Sequence, residues 1–176
     1  WLAANTLVGG WDNYWRNAQN YYLYHDGTRW HWIPWDYDNS LGHNYLVHKG
    51  YSLIDDDIHY TAYPDLVLIH RVLAVPAWRT RYHDLLRSGI AGGFHPRRFA
   101  ARVDALARAL APHARADRHK QYTDGEWRAN LGKGIITHSS EDGRWGHKAH
   151  HSGIKDYVRR RARAVLRQLA RAEQGR

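Results

Sequence analysis

Read for the spacing of apolar and polar positions, the chain divides into a strand-forming front and a helical remainder. Trp1 to Val8 is apolar with Asn5 and Thr6 inside it, and Gly9-Gly10 closes it as a helix C-terminus is closed. Tyr21 to Tyr24 and Trp30 to Ile33 are aromatic and β-branched runs. Asp26-Gly27 between them predicts a β-hairpin, which Pro34 ends. From His43 to Tyr63 no period emerges, and the run Asp55-Asp56-Asp57 interrupts the stretch. It reads as a solvated loop or as a docking segment whose acids select basic partners.

Helical spacing then takes over. Leu66, Leu68, Ile69, Val72 and Leu73 form an apolar stretch that Pro76 closes, and Trp78, Tyr82, Leu85 and Leu86 share one face of a helix from Pro76 to Ser88-Gly89. Phe99, Val103, Leu106 and Leu110 predict an amphipathic helix that begins near Pro96 and stops at Ala111-Pro112. Residues 113–150 are polar, with one short helix predicted at Asp124 to Leu131. Ile154, Tyr157, Val158, Val165, Leu166 and Leu169 stripe a final helix, whose solvated face is Arg159 to Arg161, Arg163, Arg167 and Arg171. The fold class predicted is α+β, mostly helical, in a single domain over residues 1–176.

Composition adds further constraints. Six of the nine Trp lie at or before position 35, so an aromatic core is expected to brace the hairpin. Residues 1–60 hold three Lys/Arg against seven Asp, a charge of −4, and residues 61–176 carry +13, giving the total of +9. An acidic front suits a cation; the basic remainder is either a set of solvated helix faces or a surface for an acidic partner. With no Cys, disulfides and thiolate metal sites are excluded, and no stretch reaches the roughly 20 apolar residues that span a membrane. No nucleic-acid-binding motif is present, so nucleic acid is not an expected partner. The chain opens on Trp1 and contains no Met, as expected of a portion of a longer protein.

The candidate chemistry lies between Asn5 and Gly42. Asp12 follows the Gly-Gly break, Asn17 and Asn20 come next, and Asp36-Tyr37-Asp38 follows the hairpin. In a protein-kinase site an Asp accepts the substrate hydroxyl proton, an Asn five positions later binds a metal, and an Asp beyond a hairpin binds the metal bridging the nucleotide phosphates. The step from Asp12 to Asn17 has that length, although Asp and Asn also occur in loops for turn reasons, and Asp12 is equally an N-cap candidate. Asp38, two residues after Asp36 in an extended segment, is a second metal ligand, an acceptor behind the metal shell, or an Asx-turn residue. His147, His150 and His151 have offsets that would ligate zinc on a helix, but Gly146 and Gly153 oppose one, which leaves a surface histidine cluster.

The run WDNYWRNAQNYYLYHDGTRWHWIPWDYDNSLG resembles the core of the CotH kinase family, atypical protein kinases of the spore-coat type; NYYLY followed by IPWDYD carries most of the likeness. PDLVLIHRVLAVPAWRTRYHDLL, HPRRFAARVDALARAL and IKDYVRRRARAVLRQL extend it over nearly the whole chain. The resemblance implies a reduced protein-kinase-like C-lobe with the hairpin beside its active-site loops. Residues 1–64 would carry the catalytic loop, hairpin and metal-binding loop, and 65–176 a helical subdomain. Asp12 becomes the catalytic acid and Asp36 the magnesium ligand; the amide ligand is Asn17 by spacing or Asn20 by register against the strand. The implied cofactors are Mg2+ and ATP, and the implied partner is a protein substrate phosphorylated on Ser or Thr. The eleven residues before Asp12 hold no Lys, so the nucleotide-binding lobe is expected elsewhere in the parent chain, and this portion alone is expected to be inactive. The alternative is a non-catalytic helical scaffold. Either way the family points to an extracellular, cell-surface or spore-coat location.

Overall fold

The computed structural model describes residues 1–44, 52–61, 63, 65–120, 122–138 and 148–174, with the side chains of 44, 137, 138 and 148–150 set aside. Along the described residues run α1 (Leu2–Val8), β1 (Tyr21–His25), β2 (Trp30–Pro34), β3 (His43–Asn44), α2 (Val67–Ala74), α3 (Pro76–Ala91), α4 (Pro96–Ala116), α5 (Asp124–Asn130), β4 (Ile135–His138), β5 (Lys148–His151) and α6 (Ile154–Gln174). The result is mostly helical, as expected of an α+β chain. β1 and β2 pair antiparallel with Tyr21 opposite Pro34 and His25 opposite Trp30. A second sheet, in the order β3-β5-β4, joins the segment after Leu41 to the residues just before α6.

The core forms where α1, α3 and α6 meet, flanked by α2 against α3 and α4 against α6. Leu7, Trp11 and Trp15 from the front pack with Tyr82, Leu86 and Ile90 of α3 and with Tyr157, Val158, Val165 and Leu169 of α6. α6 is long enough to cross this whole assembly, and its apolar stripe repeats at helical spacing. Tyr157 reaches the end of α1, where its hydroxyl donates to Leu7 O at 3.3 Å. Gly9 takes a left-handed φ of 64° to cap α1, and a Cβ there would strike the Tyr157 phenol.

Several expectations need correction. Arg161, assigned by periodicity to the solvated face, is 2% exposed. Its Nε donates to Thr6 O at 3.0 Å, and its Nη1 donates to Ile54 O at 3.0 Å and Asp56 O at 2.7 Å. The acid run is not a solvated loop either. Leu53, Ile54, Ile58 and Tyr60 are buried, and the hydroxyls of Tyr60 and Tyr82 meet Thr6 Oγ1 at 2.7 and 2.9 Å. Asp56 turns inward, where burial pushes its carboxyl up against the pull of Arg161 and Arg16. Burial would raise Asp57 as well, but hydrogen bonds from His59 and Thr61 hold it well below the usual carboxylate range. Only Asp55 faces outward, 3.4 Å from Arg167.

On α3, His83 and Ile90 join Tyr82 and Leu86 in the buried set, whereas Trp78 and Leu85 stay exposed, and the helix runs on to Ala91. α4 continues through Pro112 to Ala116; Ala107 is its buried residue, and Leu106 and Leu110 are each 53% exposed. α5 starts on a capping box in which Thr123 and Glu126 each satisfy the other's backbone N–H. His150 and His151 lie on strand β5 and His147 lies outside the described residues, so the helical zinc set is not formed by this backbone. The aromatic brace is narrower than expected. Trp1, Tyr14, Tyr21 and Trp32 pack together, while Tyr22, Tyr24, Trp30 and Trp35 remain exposed.

Two outcomes test this core. Arg161→Leu, which strands the buried carbonyls of Thr6 and Ile54 and leaves Asp56 O to Gln168 alone, is expected to lower unfolding free energy by about 3 kcal/mol or more in urea titrations; an unchanged midpoint would show the guanidinium to be dispensable. Burial raises the Tyr60 phenol from 10.0 to about 12 and pushes Tyr157 and Tyr82 up as well. These groups fold in their neutral form, so their contribution is complete below pH 10 and disappears as pH rises through the folded values. The denaturation midpoint is expected to drop steadily above pH 10, and a flat profile up to pH 12 would contradict the assignment.

Candidate active site

The site begins where α1 stops. Trp11, Asn13 and Trp15 are buried in alternation, which turns Asp12 between them toward the surface. Asn13 Nδ2 donates to Asn5 Oδ1 at 2.7 Å and to Gly10 O at 2.5 Å, and Trp15 Nε1 donates to Gly10 O at 2.7 Å. A Cβ on Gly10 would come within 2.8 Å of both Asn5 and Tyr37, so the backbone approach here requires glycine.

The hairpin returns the chain to the same place. Trp35 N–H donates to Asn20 O at 3.0 Å, extending the β1–β2 pairing by one step. Asp36 then adopts φ 50°, so residues 36–38 are not the extended segment that spacing suggested. The loop is tied across the end of α1 by Leu41 N–H to Val8 O at 2.7 Å and Trp11 N–H to Asn39 O at 3.3 Å. Tyr37 hydroxyl donates to Asn5 Oδ1 at 3.0 Å and accepts from Trp1 Nε1 at 2.7 Å.

Around Asp12 these two loops converge. Its Oδ1 accepts from Asn17 Nδ2 at 2.5 Å and Gln19 Nε2 at 2.6 Å, its Oδ2 accepts from Asn39 Nδ2 at 3.1 Å, and its main-chain oxygen accepts from Asn20 Nδ2 at 2.6 Å. The two candidate amides thus differ in place: Asn17 touches the carboxylate and Asn20 the backbone behind it. Asp36 is raised above the ordinary carboxyl range by the charge of Asp38 first, then by burial, with Asp12 adding to it. Three acids therefore share one electrostatic neighbourhood. Gln19 and Asn39 were not singled out from the sequence. Their only signal was an amide standing within a few residues of each candidate acid.

The family model described as CotH kinase protein matches residues 1–165. The chain belongs to the CotH kinase family. It is 24% identical over 184 residues to Invasin CotH3 of Rhizopus delemar, covering 96% of this chain and 30% of that protein. It is 26% identical over 190 residues to Spore coat protein homolog 1 of the same organism, covering 98% of this chain and 29% of the relative. The chain thus spans less than a third of the curated relatives' length. No solved structure matches it. Among the described residues no helix is long and apolar enough to cross a membrane.

In this CotH-family chain the donor set suits a hard cation. Asp36 and Asp38 offer carboxylate oxygens, Asn17 and Asn20 spend their NH2 groups on Asp12 and keep their amide oxygens, and Asn39 Oδ1 is buried without a partner among the described residues. Such an orphan acceptor costs about 1–3 kcal/mol unless a donor or cation completes it. No group of three or more His, Asp or Glu among the described residues is arranged to hold a metal by itself. Magnesium takes one or two carboxylates and fills its octahedron with phosphate and water. Beside Asp38 opens a cavity of about 410 Å³ lined by Tyr37, His43, Tyr122, Trp127 and His151. Burial lowers the His43 imidazole, opposed by the Asp38 charge, and its ring stacks on His151 at 4.5 Å. A larger hollow of about 580 Å³, lined by Asp55, His59, Arg167 and Arg171, shares none of these residues.

The neighbouring charges that raise Asp36 make the loop less stable than it would be without that acid. Asp36→Asn is expected to raise the melting temperature in chelator, and added Mg2+ to raise that of the unaltered chain but not of the variant. A lower melting temperature for Asp36→Asn in chelator would show that the acids do not oppose one another.

Proposed function

We propose that this chain is the catalytic-loop portion of a protein kinase that transfers the γ-phosphoryl of ATP to Ser or Thr hydroxyls of a protein, with the topology of a reduced protein-kinase-like C-lobe. The supporting observation is the convergence on Asp12 of amides from two loops, with Asp36 close enough to feel the charge of Asp12 and of Asp38. Asp12 orients the acceptor hydroxyl and takes its proton, its carboxylate held from both sides by Asn17, Gln19 and Asn39. Asp36, with Asp38 and one of Asn17 or Asn20, would hold Mg2+, which neutralises charge on the phosphates. Residues 1–64 supply this chemistry and 65–176 the support beneath it. Nucleotide binding by a protein kinase also takes a phosphate-pairing Lys and the lobe that carries it, and this chain spans less than a third of its curated relatives' length. The surface setting carried in the relatives' names, an invasin and a spore-coat protein, is proposed for this chain too.

A non-catalytic scaffold role has one observation in its favour: Tyr22, Tyr24, Trp30 and Trp35 present an exposed aromatic hairpin that suits a protein partner. Transfer of labelled phosphate by the parent chain decides between the two. Magnesium-dependent labelling of a protein acceptor is expected, falling at least about a hundredfold in Asp12→Ala and in Asp36→Ala. Equal labelling by all three proteins, or none by the unaltered parent, would leave the scaffold.

A further inference from the structure

Asn39 stands at the junction of the two loops. It follows Asp36 and Asp38 in the chain, yet its main-chain oxygen accepts from Trp11 N–H at 3.3 Å and its Nδ2 donates to Asp12 Oδ2 at 3.1 Å. The opposite carboxylate oxygen is held by Asn17 and Gln19, which belong to the loop of Asp12 itself. Any movement of the Asp36 loop is therefore passed by Asn39 to one oxygen of Asp12 and to the backbone just before it. That loop is held under strain. It carries left-handed residues at Asp36 and Leu41, and Asp36 lies within the field of Asp38 and of Asp12. The Asn39 Oδ1, buried and without a partner among the described residues, marks a place for one more donor or cation. An amide fits this junction as no acid would. A carboxylate at 39 would oppose Asp12 and give it no hydrogen.

Resting on the kinase reading, we propose that Asn39 is a positioning residue that couples cation binding at Asp36 and Asp38 to the placement of Asp12. Its amide nitrogen orients the carboxylate, and its amide oxygen is completed by the cation or by a water the cation carries. Residues at one remove from a metal commonly change affinity or rate by ten- to a hundredfold, and a coupling residue changes both in a separable way.

The test uses the parent chain, with Mn2+ as the probe and the fluorescence of the nearby tryptophans as a readout independent of activity. Asn39→Leu removes both amide groups in nearly the same volume, and Asn39→Asp keeps an oxygen while losing the donor. Asn39→Leu is expected to raise the Mn2+ midpoint by about tenfold, and Asn39→Asp to leave it within about threefold while phosphoryl transfer falls about tenfold at unchanged acceptor KM. Thermal melts establish that both variants fold; if Asn39→Leu does not, the isosteric Asn39→Asp carries the decision. Midpoint and rate unchanged in both variants would overturn the proposal. So would equal loss of midpoint and rate in both, which is what a purely structural asparagine gives. Absence of transfer by the unaltered parent would instead remove the kinase reading, and the Mn2+ midpoints alone would then decide whether Asn39 touches the cation site.

Discussion

The guanidinium of Arg161 is the contact on which the rest of the structure depends. A charge buried to this degree is tolerated only where its N–H groups find acceptors, and Arg161 finds three carbonyls from two distant segments. One of these is Thr6 O, three residues before the left-handed Gly9 that ends α1. The direction in which the chain leaves α1 is thereby fixed by a side chain 155 residues further on. The other two, Ile54 O and Asp56 O, pull the acid run onto α6, where Gln168 adds a contact to the Ile58 N–H at 2.9 Å. The placement of Asp12 is a consequence of this anchorage, because only Trp11 and the two glycines separate it from α1.

Above that anchor the site is built against its own stability. Ala18, Asn20, Asp36 and Leu41 all have positive φ, and each such non-glycine residue costs on the order of 1 kcal/mol. The same short span gathers three carboxylates that raise one of their number. Strain and like charge persist here because the surroundings over-determine the loops: Trp35 is bonded to Asn20, Leu41 to Val8, and Ser152 N–H to Gly42 O at 3.0 Å. A cation would relieve the repulsion without altering those ties. This is the expected division in a binding site, with a stable frame holding an arrangement that favours the ligand-bound state.

Local chemistry made the front of the chain legible. Gly9-Gly10 ended α1, Asp26-Gly27 placed the hairpin, and the spacing from Asp12 through Asn17 to Asp36 named residues that the fold brings into one neighbourhood. What the sequence hid were outcomes settled by remote partners. An arginine in the middle of an Arg-rich helix gives no sign that three carbonyls await it. Leu106 and Leu110 keep perfect helical spacing, yet periodicity cannot say which flank of α4 its neighbours cover. Pro112 removes one N–H, but α4 continues past it, with Asp117 N–H reaching His113 O at 3.0 Å and Lys120 Nζ reaching Ala114 O at 2.6 Å. The acid run looked solvated because three consecutive aspartates rarely sit beside a core, and a single exposed member, Asp55, keeps that rule.

The same remote dependence explains why the acidic front and the basic remainder belong together. Residues 1–60 concentrate negative charge where two loops meet, and an isolated segment of that composition would repel itself apart. α6 counters it in two ways. Arg161 supplies a buried positive charge that pulls on Asp56, and Arg167 meets Asp55 at the rim. The first is worth far more than the second, since an exposed pair contributes at most about 1 kcal/mol whereas a buried guanidinium is hardly screened. The positive surplus downstream is therefore partly structural: it offsets the acid run at residues 55–57 while Asp12, Asp36 and Asp38 stay gathered at the front of the same fold.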